Sequence, residues 1–193
     1  YRHAIVCLTE AGTFASRIID ADIPVIALNK APGHDLMMYW RLWRVLRRLR
    51  PAIVHTRNLA ALETQVLGLV MPFTRRVHGE HGRDVHDLHG DNKRYRLLRR
   101  LLSPMIGRFI CVSRDLEQWL VGVVGIPRHK VRQLYNGVDH ERFDRSAERP
   151  ADWPADWPAG ALIVGTVGRL AAVKDQQSVI RALVRIFSLR PDL

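Results

Sequence analysis

Cysteine is nearly absent: Cys7 and Cys111 are the only two in 193 residues. Each lies in a short apolar run that reads as a buried strand, which suits core thiols in a reducing compartment better than a disulfide. No cysteine pair has metal-ligand spacing, so a thiolate zinc site is excluded. No apolar run approaches the roughly 18 to 20 residues of a membrane-spanning helix. Nothing reads as a signal peptide, and there is no initiator Met. Tyr1-Arg2-His3 leads straight into a strand, so the chain is expected to be a piece cut at both ends. Acidic residues are also scarce, 19 against 30 basic ones, for a net charge of +11. Arginine carries most of that charge, and its planar fork favours phosphates and carboxylates. Nucleotides, acidic membrane and nucleic acid are the candidate partners. The 47% hydrophobic and 25% charged content is that of an ordinary globular protein.

What is present is alternation. Continuous apolar runs at 4–8, 24–28, 52–55, 109–112 and 131–135 read as strands covered on both faces, with a weaker one at 75–78. Between them, 12–20, 35–49, 59–69, 93–102 and 114–121 read as helices, the last capped by Ser113. This order predicts the α/β class, a Rossmann-like doubly wound parallel sheet. Ligands bind such sheets at the carboxyl ends of strands, where His55, His78 and Asn136 fall. Residues 144–160 are rich in Pro, Ala and Asp, repeat Ala-Asp-Trp-Pro twice, and read as a linker. A new strand from Ala161 and a helix over 175–188 would open a second domain, with Gly168 at the strand end. The expected division is therefore 1–142, linker 143–160, and 161–193.

Several constellations have both a plain and a functional reading. Gly168-Arg169, followed by Lys174, is either a strand-to-helix turn with two solvated cations or a diphosphate cradle. Arg57 and Asn58 either cap a helix or contact an acceptor. His78 and His81 bracket Gly79-Glu80. They could be loop histidines bonded to the main chain, a loose metal site, or polar groups aimed at substrate, with Arg83 and Asp84 beside them. Two basic helices, residues 39–50 and 93–102, place leucines (Leu42, Leu46 and Leu49; Leu97, Leu98, Leu101 and Leu102) against arginines. Each is either a core stripe with a solvated face or a surface for anionic lipid, with Trp40 or Trp43 at the interface. No nucleic-acid recognition motif is visible.

Asn136-Gly137-Val138-Asp139, then Phe143, then Val167-Gly168-Arg169-Leu170 with Lys174, resembles the interdomain segment of retaining glycosyltransferases of family 4, which have the GT-B fold. His-Thr-Arg-Asn at 55–58, His-Gly-Glu-His-Gly-Arg-Asp at 78–84 and Val-Ser-Arg-Asp-Leu at 112–116 are similar to bacterial sugar transferases of exopolysaccharide and PEP-CTERM systems. The resemblance implies transfer of a sugar, with retention, from a nucleotide-diphosphate donor to a glycan or lipid-linked acceptor. It implies that Gly168, Arg169 and Lys174 hold the donor diphosphate and that His78 is the catalytic residue pointing at the reacting sugar. His55, Arg57, Asn58, His81, Arg83 and Asp84 would line the acceptor side, and Asn136, Gly137 and Asp139 the domain junction. No cofactor or metal is expected, nor a nucleic-acid partner. The location would be cytoplasmic, with the basic helices as candidates for peripheral docking. The family's N-terminal glycine-rich loop and its Glu…Glu donor pair are not in these 193 residues, so the chain by itself is expected to be inactive. A docking protein of the same fold, or a sugar-nucleotide epimerase, is the alternative.

Overall fold

A computed structural model of the chain describes residues 2–18, 22–84, 87–141, 143 and 163–190. The chain divides into two compact units, Tyr1–Asn136 and Gly137–Leu193. The first contains strands β1 (Ile5–Cys7), β2 (Val25–Ala27), β3 (Ile53–Arg57), β4 (Arg75–Glu80), β5 (Arg108–Cys111) and β6 (Val131–Gln133). Its helices are α1 (Leu36–Leu49), α2 (Asn58–Leu62), α3 (Lys93–Leu102) and α4 (Arg114–Trp119). All strand pairs are parallel, confirming the α/β class.

The sheet is divided. β1 and β2 pair with each other, and β3-β4-β5-β6 form a separate four-stranded sheet in chain order. Parallel neighbours are normally joined by right-handed crossovers, and α2, α3 and α4 accordingly share one core cluster. Alternate residues then have opposite fates. Thr56, His78, Glu80, Phe109, Cys111 and Val131 face the helices and are buried. Phe109, Cys111 and Val131 pack with Leu62, Leu102, Ile106, Leu116, Trp119 and Leu120. The alternate set is more open: Ile53 is 58% exposed, and His55, Arg57, Arg108 and Arg132 are exposed, whereas Val77 and Ile110 are half-buried and Gly79 is covered. Parallel strands joined through helices fit the expected Rossmann-like architecture, with β3-β4-β5-β6 running in chain order among the described residues.

Local chemistry explains most helix boundaries. The Asp35 carboxylate caps α1 by accepting from the Met38 N–H at 3.0 Å. Met38, Leu42 and Leu46 form its buried stripe, whereas Leu49, in the last turn, is exposed. Ser113 Oγ caps α4, accepting from Leu116 N–H at 3.1 Å, as expected. The helix expected over 59–69 is α-helical only to Leu62 and continues as a 3-10 segment, Glu63–Val70. There Thr64 Oγ1 donates back to the Ala61 carbonyl at 2.6 Å, competing with the regular ladder.

α3 departs most from expectation. Its inward stripe is Tyr95, Leu98, Arg99 and Leu102, while Leu97 and Leu101 are 53% and 63% exposed. Cys111 is buried, but Cys7 is only half-buried, and both are free thiols. In the second unit, α5 (Gln176–Leu189) forms as expected but buries no residue. The strand expected from Ala161 is not formed over the described residues 163–167, which are exposed. A strand needs a neighbour for its ladder, and the described residues of that unit offer none. The linker over 143–160 lies outside the described residues apart from Phe143. None of the described helices is long and apolar enough to cross a membrane.

Candidate functional site

The last residues of β3 and β4 carry two different sites on opposite faces. On the helix side, polar groups form one connected network. Gln65 Nε2 donates to Thr56 Oγ1 at 2.7 Å and to the Val77 carbonyl at 3.1 Å. That leaves the Thr56 hydroxyl proton for His78 Nδ1, 2.8 Å away. The His78 proton then sits on Nε2 and meets Glu80 Oε1 at 3.2 Å. Arg99 closes the chain as a fork, Nε to Glu80 Oε1 at 2.6 Å and Nη2 to Oε2 at 3.2 Å. His78 and Glu80 are fully buried and Arg99 is 2% exposed. Burial pushes the Glu80 carboxyl up, but hydrogen bonds from His78 and Arg99, with the Arg99 charge, outweigh it and hold it below its usual range. Trp119 lies under the Arg99 guanidinium at 5.0 Å and donates its Nε1 proton to the Gly90 carbonyl at 3.1 Å.

This placement corrects the role expected for His78. Both of its ring nitrogens are occupied and no surface remains for a sugar. The even spacing from Thr56, its partner in register, turns it into the core. It also separates His78 from His81. The first faces the helices, whereas the second lies over Gly79 on the open side, so the pair cannot chelate one ion.

The open face gathers His55, Arg57, Asn58 and His81. Gly79, opposite Arg57 in register, makes room. A Cβ there would stand 2.9 Å from His55 Nε2 and 3.1 Å from His81 Nε2, so both rings pack where a side chain would be. His81 is held twice. Its ring Nδ1 accepts from Arg57 Nη2 at 3.1 Å, and its backbone N–H donates to Asn58 Oδ1 at 3.0 Å. Asn58 takes a left-handed φ of 57° in doing so. Burial, with the Arg57 charge contributing, lowers the affinity of both rings for a proton.

The remaining expected residues are more dispersed. Arg83 Nη2 pairs with Asp115 Oδ2 at 2.8 Å, and its guanidinium lies 5.8 Å from the Trp119 ring. Asp84 is half-buried in the same loop. Asn136 closes the first unit and Gly137 opens the second, both exposed and irregular. Asp139 Oδ1 accepts from the Glu141 N–H at 3.2 Å. In the second unit Lys174 folds over Gly168, its Cγ 3.7 Å from where a glycine Cβ would be. Arg169 is exposed, and its carbonyl accepts from Gln176 Nε2 at 2.8 Å.

The model of Glycosyltransferase Family 4 matches residues 1–142. The chain belongs to that family. No curated protein matches it. The matched stretch contains both faces of the β3–β4 ends, so the open cluster and the buried network are parts of a Family 4 domain with a glycosyltransferase-type function. Within this Family 4 chain, sequence reasoning missed Thr56, Gln65 and Arg99 and read Glu80 as part of a loop. One signal could have found the pair. An acid within a buried strand demands a cation, and Arg99 lies on the α3 stripe with Tyr95, Leu98 and Leu102.

Proposed function

We propose that the chain serves transfer of a sugar, with retention, from a nucleotide-diphosphate donor to a glycan or lipid-linked acceptor in polysaccharide assembly. The observation that carries this reading is His81, held by ring and backbone at the carboxyl end of β4 within the Family 4 match. Parallel sheets bind ligands at that edge. His81 takes the role first given to His78, orienting a sugar hydroxyl through its free Nε2–H. Arg57 and Asn58 position it. His55, Arg83 and Asp84 line the acceptor side, and Asn136, Gly137 and Asp139 join the two halves of the enzyme.

In the transfer, the bond from the anomeric carbon to the β-phosphate oxygen breaks and its electron pair stays on the phosphate. The acceptor oxygen bonds to the same face of the carbon and passes its proton to the departing phosphate oxygen on that face. Gly168, Arg169 and Lys174 receive the charge that develops on the diphosphate. Two fixed cations there would stand in for a divalent metal.

The test uses the full-length protein with a panel of nucleotide sugars. Arg169→Ala and His81→Ala should each lower turnover by about 100-fold or more, the scale for losing one transition-state donor. Near-normal turnover in Arg169→Ala would sink the assignment. Activity removed by chelation and restored by a divalent metal would show that the two cations do not suffice.

A cytoplasmic location with peripheral attachment is the matching reading of the basic helices. Arg44 stacks on Trp40 at 4.7 Å and Arg47 on Trp43 at 4.8 Å, and Trp40 is 47% exposed. Such cation–aromatic pairs suit an anionic lipid interface.

A further inference from the structure

We propose that His55, Arg57 and His81 form a phosphate-binding subsite on the open face of the sheet, one that takes the phosphate group of a phosphorylated acceptor. This rests on the reading of that face as the acceptor side, and it adds the chemistry of what binds there.

Three observations carry it. First, the two imidazoles converge. Their Nε2 atoms lie 2.9 and 3.1 Å from where a Cβ on Gly79 would stand, so only a glycine lets both rings settle side by side there. Second, the polarity of the site is set. Arg57 has no acceptor atom, so its contact with His81 Nδ1 makes that nitrogen the acceptor. The neutral His81 ring therefore carries its proton on Nε2, on the edge that lies beside His55 over Gly79. Asn58 fixes the backbone of the same residue, so the donor is held at both ends.

Third, the electrostatics favour an anion. The groups acting on His55 are His78 and Arg57. Those acting on His81 are Arg57, His55, Glu80 and His78. Glu80 alone among them is acidic, and its carboxylate is already engaged by Arg99 inside the core. Both rings resist protonation in this surrounding, and a bound dianion would reverse that. A cation does not fit. The Arg57 charge repels it, His81 Nδ1 is already used, and the protonated Nε2 has no lone pair to give. Among the described residues no three His, Cys, Asp or Glu side chains come together as a metal-holding group. Arginine with imidazole donors is instead a common way to hold a phosphate.

The test is an NMR titration of the histidine ring signals in the full chain with inorganic phosphate, at several pH values. Binding should be saturable, should strengthen as pH falls and the rings take up protons, and should raise the apparent pKa of His55 and His81. Arg57→Ala should weaken binding by at least about tenfold, with Arg57→Lys between it and the parent, since lysine keeps charge but not the fork. Arg57 is exposed, so its variants are expected to fold, and unchanged backbone spectra check this. Two further arms distinguish the source of the phosphate. Arg57-dependent binding of glucose 1-phosphate supports a soluble sugar phosphate. Arg57-dependent binding of a short-chain phosphatidate alone supports a lipid phosphate. No shift at His81, or equal binding in Arg57→Ala, overturns the proposal. Nucleotide-sugar binding followed in the same samples reports on the transferase reading separately.

Discussion

Replacing Arg99 by methionine tests the buried network most directly. The substitution keeps much of the volume and removes the guanidinium that forks onto Glu80 at 2.6 and 3.2 Å. Glu80 would remain in the core with His78 as its one remaining partner. Stripping one member from a buried ion pair typically costs about 3–5 kcal/mol, because the survivor's charge is left uncompensated. Against a total stability of about 5–15 kcal/mol, that is about a fifth or more of what holds a domain together. With a urea dependence of about 2 kcal/mol per molar, the unfolding midpoint should fall by about 2 M. Glu80→Gln/Arg99→Met should recover part of the loss, since the amide still accepts from His78 and no charge is stranded. Urea titrations of parent, both single variants and the double variant form a double-mutant cycle. A cost under about 1 kcal/mol for Arg99→Met, or a double variant equal to the sum of its singles, would refute the reasoning.

Two further outcomes follow from the same residues. The Glu80 carboxyl is held below its usual value of 4.5, so it contributes stability above that pH and the contribution is lost as pH falls through the folded value. Thermal melts from pH 7 to 3 should steepen below that point, and Glu80→Gln should flatten the decline. An unchanged profile in Glu80→Gln would contradict it. Gly79→Ala should displace both imidazoles, since the new methyl would sit 2.9 and 3.1 Å from their Nε2 atoms. The neighbours are side-chain ends that can swing, so stability should drop by only about 1 kcal/mol while phosphate no longer shifts the His81 signal. Retained binding would show that convergence over Gly79 is unnecessary.

Much of this was legible in the chain. The alternation of apolar runs located six strands within two or three residues, and Ser113 was readable as a cap. His55, Arg57, Asn58 and His81 were readable as a group because strand ends in parallel sheets are where ligands bind. Other features were not, for physical reasons. Whether His78 or His81 faced the open side depended on register. One residue inverts the assignment, and nothing local in His-Gly-Glu-His fixes it. Arg99 was counted with the solvated face because composition prices an arginine as exposed until its buried carboxylate is known. The strand expected from Ala161 had the right residues, but pairing is a property of neighbours rather than of the segment.

The alternation at the end of β4 also has a consequence for how this chain can change by descent. Positions 78 and 80 belong to the folding of the domain, and positions 79 and 81 to what it recognises. Substitutions can revise one set while leaving the other alone, so new specificity need not disturb the core. Insertions and deletions have no such freedom. Loss of one residue within the strand would send the His81 position inward and draw the buried acid to the surface, removing both properties in one step. Related chains that have kept the domain should therefore vary in length before Arg75 or after Asp84, and not between them.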